Sequence, residues 1–323
     1  MMKNSFFNKK KTYIIAEIGN NHEGSLKNAF RLIDEAAKAK VDAIKFQTFD
    51  TNSFIHPSEQ LSYKKFKKFQ FSKNDFVKLF KYVKKKKLYL ASTPFDIKSA
   101  VFLKKYVDIF KIASGDNNFY DLINLVINFK KPTLISNGFL SITESLNLIK
   151  RIKPLNKNIC LLHCIASYPV KNYCASLLNI KKLISKSKIP IGYSDHTVGT
   201  TASLLAVALG AKVIEKHFTL SNNFSSFRDH KLSLNPKDMS FLVEEIRKAD
   251  EMLKYKTEKF IDNEENIYPF ARRSLYFRNA VKKGQFIKKN DLIFLRPFKK
   301  ENSKNLKKVN SKASKSFLKY DLF

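Results

Sequence analysis

The chain of 323 residues has no tryptophan, eight glycines and three cysteines. Cys160, Cys164 and Cys174 are an odd, closely spaced set, which argues against a disulfide scaffold and for reduced thiols in a cytoplasm. No apolar run approaches the roughly 20 residues a membrane helix needs, so no membrane partner is expected. Residues 1–11 are polar and basic and lead straight into a strand-like run, so no secretory signal is expected. Acidic residues are scarce, 28 against 61 basic ones, for a net charge of +33. Yet arginine, which reads guanine and phosphate through paired contacts, supplies only eight of those 61. Lysines cover nearly every polar face, as at residues 84–87, 104–105 and 181–182. Few glycines and no tryptophan, with much Lys, Asn, Ile and Phe, is what an AT-biased coding sequence yields. The charge therefore suits anionic substrates better than a specific nucleic-acid site. What is present, 44% hydrophobic residues with 13% aromatics, suffices for a core and excludes wholesale disorder.

One rhythm runs through the first 255 residues. Short β-branched or aromatic runs predict strands over 13–18, 43–48, 88–93, 109–113, 133–136, 159–163, 191–194 and 213–217. Amphipathic stretches predict helices over 26–38, 73–86, 97–105, 121–128, 142–152, 176–187, 199–209 and 236–253. Ser72, Asp96 and Pro236 stand where helices start. Eight such units in about 250 residues match a closed (β/α)8 TIM barrel. An open doubly wound sheet is the alternative, weakened because no Gly-x-Gly-x-x-Gly follows any strand. Residues 256–266 read as a polar linker. Residues 267–323 read as a small β-rich domain, with short strands at Phe286 and Ile287 and over 292–295. So small a piece is expected to dock on its own barrel or on a partner's.

In a closed parallel barrel the active site gathers at the C-terminal strand ends. Those ends carry Glu17, Lys45 with Gln47, Thr93, Lys111 with Ser114 and Asp116, and Ser136. The remaining strands add His163 with Tyr168, Ser194 with His196, and Glu215 with His217. A lysine inside a strand needs an anionic partner. Lys45 and Lys111, beside the hydroxyls of Thr93, Ser114, Ser136 and Ser194, thus predict a cradle for a phosphate and a carboxylate. The plainer alternative is that each lysine snorkels to solvent. His196 and His217 end consecutive strands and could share one ion. With Glu17 or Asp229 nearby they suit a first-row divalent metal with open positions; otherwise one is a general base or a core histidine. Cys160 and Cys164 read as small core residues. No Gly-x-Ser-x-Gly elbow supports a hydrolase triad.

Several runs together resemble the sialic acid synthases. They are Ala16-Glu17-Ile18-Gly19-Asn20-Asn21-His22-Glu23-Gly24, Ile44-Lys45-Phe46-Gln47, Ser92-Thr93-Pro94-Phe95-Asp96 and Lys111-Ile112-Ala113-Ser114-Gly115. Leu162-His163-Cys164 with Tyr168-Pro169, Ser194-Asp195-His196-Thr197 and Glu215-Lys216-His217-Phe218 complete the set, in order across residues 12–297. The resemblance implies condensation of phosphoenolpyruvate with an N-acetylated amino sugar, N-acetylmannosamine before others, to a sialic acid and phosphate. It implies that Lys111, Thr93, Ser136 and Ser194 hold phosphoenolpyruvate, with Lys45 and Gln47 at the same mouth and Ser114, Asp116 and Tyr168 among the substrate contacts. It assigns His196 and His217 to manganese or magnesium, which polarises the open-chain aldehyde. Glu17 and Asp229 become candidates for stabilising charge at C2 and for handling the proton of the water that adds there.

Arg272-Arg273-Ser274-Leu275, the Lys283-Gly284 turn and Leu295-Arg296-Pro297 resemble that family's antifreeze-like (SAF) domain. By that likeness the chain is expected to be a domain-swapped homodimer, with Arg296 helping to hold the N-acetyl group. Three departures stand out. Ala166 takes the place of a polar Asn or Ser, Phe227-Arg228 replaces Gly-Pro before Asp229, and the stretch after Pro297 lacks the family's glycines. Synthases of legionaminic or pseudaminic acid, which use 2,4-diacetamido hexoses, share nearly all these residues. A synthase acting on a sugar phosphate would need a further basic site. A polyanion binder on a degenerate barrel would rest on the charge alone.

Overall fold

The computed structural model describes Phe7, residues 11–255 and residues 258–323. Most of the stretch read as lacking a secretory signal, and Lys256 and Thr257 of the expected linker, lie outside the described residues. Eight parallel strands form a closed barrel. They are β1 (Tyr13–Gly19), β2 (Ala43–Thr48), β3 (Tyr89–Pro94), β4 (Ile109–Ile112), β5 (Thr133–Ser136), β6 (Ile159–Cys164), β7 (Ile191–Asp195) and β8 (Val213–His217). The last pairs with the first, Val213 opposite Tyr13 and His217 opposite Glu17.

Helix α1 (Leu26–Lys38) follows β1, and α2 (Thr51–Phe54), α3 (Gln60–Phe69) and α4 (Lys73–Lys85) follow β2. Then come α5 (Ile97–Leu103), α6 (Tyr120–Asn128), α7 (Ile142–Ile152), α8 (Leu178–Ser187) and α9 (Thr201–Ala208), one per strand. After β8 stand the single turn α10 (Asp229–Leu232) and the long α11 (Pro236–Met252). Side-chain caps set several starts. Ser25, Ser72, Asp96 and Asn235 each accept from a backbone amide of their helix's first turn, and Ser141 forms a full capping box with Glu144.

The strands show no simple alternation because both faces are buried. Outward residues such as Ile14, Ile44, Phe110 and Ile214 pack under the helices. Inward residues at the N-terminal end form an apolar floor of Tyr13, Ile15, Ala43, Ala91, Ile109, Leu134, Cys160, Leu162 and Val213, with Phe7. One step of two residues along the same face replaces Ile15 by Glu17, Ala43 by Lys45, Ile109 by Lys111 and Val213 by Glu215. Every polar group of that second layer is therefore held above a dry floor.

The residues after β2 depart from the expected single helix. Phe49, Phe54, Phe66 and Phe95 form a ring cluster, with Phe54 and Phe95 centroids 4.5 Å apart, which ties α2 and α3 to the barrel rim. The α3 backbone also approaches the loop after β1: a Cβ on Gly24, at φ +79°, would meet the Lys68 carbonyl oxygen at 2.2 Å. Only glycine fits there.

Residues 255–323 form a second compact unit. Its helix α12 (Glu264–Ala271) begins inside the stretch expected to be a linker. β9 (Ser274–Phe277) pairs antiparallel with β10 (Leu292–Leu295) over a small core of Leu275, Phe277, Val281, Ile287, Leu292, Ala313 and Phe323. The strand expected at Phe286 and Ile287 is a single bridge from Phe286 to Lys312. Among the described residues no helix is long and apolar enough to cross a membrane.

Candidate active site

Four buried charges meet inside the barrel mouth. Lys45 Nζ lies 2.8 Å from Glu17 Oε1 and 3.7 Å from Glu215 Oε2, and Lys111 Nζ lies 2.8 Å from Glu215 Oε1. All four side chains are at most 5% exposed, so the alternative in which the lysines reach out to solvent does not hold. Hydroxyls and amides dress the cluster. Thr93 Oγ1 accepts from Lys45 at 3.1 Å, Ser194 Oγ donates to Glu215 Oε1 at 2.8 Å, and Gln47 Nε2 donates to Glu17 Oε1 at 3.1 Å. Gln47 is in turn oriented by Asn20 Nδ2 at 2.7 Å.

The two carboxylates are unequal. Burial would raise both, but Lys111 and Lys45 together hold Glu215 well below the usual carboxylate range. Burial pushes Glu17 up; Lys45 pulls it back, and the charge of Glu215 adds to the upward push. Glu215 thus keeps its charge while Glu17 is the carboxyl that takes up a proton first. One Oε2 on each lacks a hydrogen-bond partner, as does the buried Ser136 Oγ on β5. Ser114 sits beside them, its Oγ accepting from Gly138 N at 3.2 Å. Asp116 stands at the same rim without joining the cluster, its carboxyl pushed up to about 6 by burial.

A second group lines the β6–β8 side of the mouth. The rings of His196 and His217 are 5.4 Å apart, and Tyr168 packs on His196 at 4.2 Å. His196 Nδ1 lies 2.9 Å from the Ile165 carbonyl and 3.8 Å from the Cys164 thiol, so Cys164 is more than a core filler. As donor to that carbonyl, Nδ1 leaves Nε2 with a free lone pair. Burial, then the charges of His196 and Lys45, hold His217 well below its usual range, so its imidazole is neutral. Its buried Nδ1 has no hydrogen-bond partner and lies 3.9 Å from Asp229 Oδ2. Burial lowers the proton affinity of His196, but its Cys164 and Ile165 partners raise it on balance, so an ion shared by the two rings, bound to imidazole nitrogen at roughly 2.0–2.1 Å, would displace the His196 proton. Among the described residues no three His, Cys, Asp or Glu side chains are grouped so as to hold a metal ion, so Glu17 and Asp229 do not join the two histidines as a set of protein ligands. Asp195 and Lys216 flank the pair as a fully buried 3.0 Å ion pair that fixes the ends of β7 and β8.

Of the residues predicted from sequence, Glu17, Lys45, Gln47, Thr93, Lys111 and Ser194 form one bonded network, and Tyr168, His196, His217 and Asp229 the second group. Arg296 is exposed just past β10, in the other unit. Glu215 was legible only as a strand-end residue. Two inward lysines needed inward acids, and counting by twos from Val213 supplies one. Arg228, whose guanidinium lies 4.7 Å over the Tyr168 ring and 3.4 Å from Asp229 Oδ1, had only its unusual place before Asp229 to mark it.

The NeuB family model matches residues 32–258. The chain belongs to the NeuB family. An uncharacterised protein of Methanocaldococcus jannaschii is 40% identical over 291 residues, covering 88% of this chain and 85% of its own length. The N,N'-diacetyllegionaminic acid synthase of Legionella pneumophila is 34% identical over 304 residues, again 88% and 85%. Among solved structures, the N-acetylneuraminic acid synthetase of Leptospira borgpetersenii is similar at a TM-score of 0.74 and 37% identity, over 80% of this chain and 90% of that one. This NeuB member is thus a relative of sialic-acid-type synthases, and, Glu17 on β1 apart, the charged cluster and the histidine pair lie in strands the family model covers.

Proposed function

We propose that the chain condenses phosphoenolpyruvate with the open-chain form of an N-acetylated amino sugar, N-acetylmannosamine first, giving N-acetylneuraminate and phosphate. The observation that carries this is the buried pair Lys45 and Lys111, each neutralised by a glutamate above an apolar floor. A phosphate and a carboxylate entering this mouth meet two lysines and the hydroxyls of Thr93, Ser136 and Ser194, aimed into a site of low dielectric. Lys45 and Lys111 bind the anion, and Glu17, whose proton affinity burial raises, is the carboxyl placed to exchange a proton there. C3 of phosphoenolpyruvate attacks the aldehyde carbon, water adds at C2, and that tetrahedral centre collapses to the ketone as phosphate leaves with its bridging oxygen; of the water's two protons, one ends on the former aldehyde oxygen and one on the phosphate. Glu17 and Asp229 handle the water's proton. His196 and His217 would hold manganese or magnesium, which when bound polarises the aldehyde oxygen.

The second unit we assign as an antifreeze-like (SAF) domain that brings Arg296 to a partner's mouth in a swapped homodimer. The exposed Arg296 beside a self-contained small core supports this reading. A 2,4-diacetamido hexose is the second reading, favoured by the likeness to a legionaminic acid synthase. The test is phosphate release from phosphoenolpyruvate with manganese, offering each sugar with and without chelator. Chelator-sensitive release with one sugar supports the reading and picks the substrate; silence with all of them, from folded protein, overturns it.

A further inference from the structure

Asp229 and Arg228 sit at the start of α10, a single turn that cannot hold itself in place. Asn222 Nδ2, from its own segment, donates to the His230 and Ser233 carbonyls at 3.0 and 2.7 Å, and the rest of what fixes it involves the loop after β1. His230, fully buried, is engaged at both ring nitrogens, Nδ1 with Thr219 Oγ1 at 2.7 Å and Nε2 with Glu23 Oε1 at 3.1 Å. The same Glu23 oxygen accepts from Ser225 Oγ. Phe224 and Phe227 close over the imidazole, with centroids at 5.1 and 5.9 Å. Beside this, Asn21 Nδ2 donates to Ser233 Oγ at 2.9 Å, and that hydroxyl donates to the Asp229 carbonyl at 2.6 Å.

A chain that only had to join β8 to α11 would have no need to bury a histidine against a carboxylate, because taking such groups from water is costly. The arrangement is one of fixed geometry. The segment it fixes carries Arg228 to the Tyr168 ring and Asp229 to within 3.9 Å of His217. We propose that Glu23 and His230 are positioning residues, a latch between the loops after β1 and β8 that holds Arg228 and Asp229 at the sugar side of the mouth. The latch rests on the reaction proposed above for its kinetic consequence, and on the contacts alone for its structural one.

The test uses the full chain with Glu23→Ala, which removes both acceptor contacts, Glu23→Gln, which keeps an oxygen for Ser225 and His230, and Ser225→Ala, which removes one donor. Hydrogen exchange of peptides spanning 219–233 should rise about tenfold in Glu23→Ala with exchange in the barrel strands unchanged. Sugar-dependent kcat/KM should fall about 10- to 100-fold, the scale on which misplaced groups act, while the KM for phosphoenolpyruvate stays within about twofold. Glu23→Gln should recover most of both, and Ser225→Ala should show a smaller change in the same direction. Unchanged exchange over 219–233 in Glu23→Ala overturns the latch, as does an equal loss for both substrates. Should the wild-type chain turn over no sugar, the reaction falls, and the exchange comparison still decides the latch.

Discussion

Replacing Lys111 by Met leaves Glu215, a side chain only 5% exposed, with Lys45 at 3.7 Å and Ser194 at 2.8 Å as its remaining partners. Removing one member of a buried pair costs about 3–5 kcal/mol, because an unmatched charge stays behind. For a domain of this size each kcal/mol moves Tm by roughly 2–4 °C, so the melting point should drop by on the order of 10 °C. Adding Glu215→Gln removes the stranded charge and should restore most of that loss, while phosphate release stays absent. The pH arm has a definite sign. Glu215 is held below its unfolded value, so its contribution is present above the ordinary carboxylate range and lost as pH falls. The gap between wild type and Lys111→Met should therefore be full near pH 7 and narrow below about pH 4. Thermal unfolding by circular dichroism decides it: a double variant that melts with the single one, or a single one that melts with wild type, refutes the coupling.

Glu17→Gln should end turnover but not folding. The folded Glu17 binds its proton more tightly than the unfolded one, so wild type loses stability as pH rises through that window. The melting point of the variant relative to wild type should climb as pH rises above the ordinary carboxylate range. His217→Ala should remove both manganese binding, measured by calorimetry, and turnover, with the far-UV spectrum unchanged; wild-type rates without metal would sink the ligand role. Arg296→Ala should raise the KM for the sugar well above any change for phosphoenolpyruvate, and equal effects on both would take Arg296 out of the sugar site.

The barrel was legible because each strand is a short β-branched run ended by polar residues and several of the main helices carry their own cap. The observed strands match those readings within a residue or so at each end. The α2–α3 excursion was not legible. Its ten-residue helix is lysine-rich, and what stabilises it is a cluster of phenylalanines scattered from Phe49 to Phe95. In the site, residue types at strand ends revealed the lysines and histidines, but not which acids answered them. Glu17 and Glu215 lie on strands at opposite ends of the sequence, and Glu23 and His230 are 207 residues apart. Spacing along the chain carries no sign of such pairings; only barrel closure makes them neighbours.

The polar layer over the apolar floor also bears on how the chain becomes a barrel. Lys45 and Lys111 arrive early, on the second and fourth strands, and Glu215, the acid they share, arrives on the eighth. A nascent chain released only as far as β7 would have to bury Lys111 without the carboxylate that neutralises it. The interior therefore stays open to water until the last strand docks, and sealing becomes a single late event instead of a strand-by-strand accretion. Truncated barrels ending before residue 213 should be collapsed and wet inside, with the charge that completes the pocket also serving as the bolt that shuts the fold.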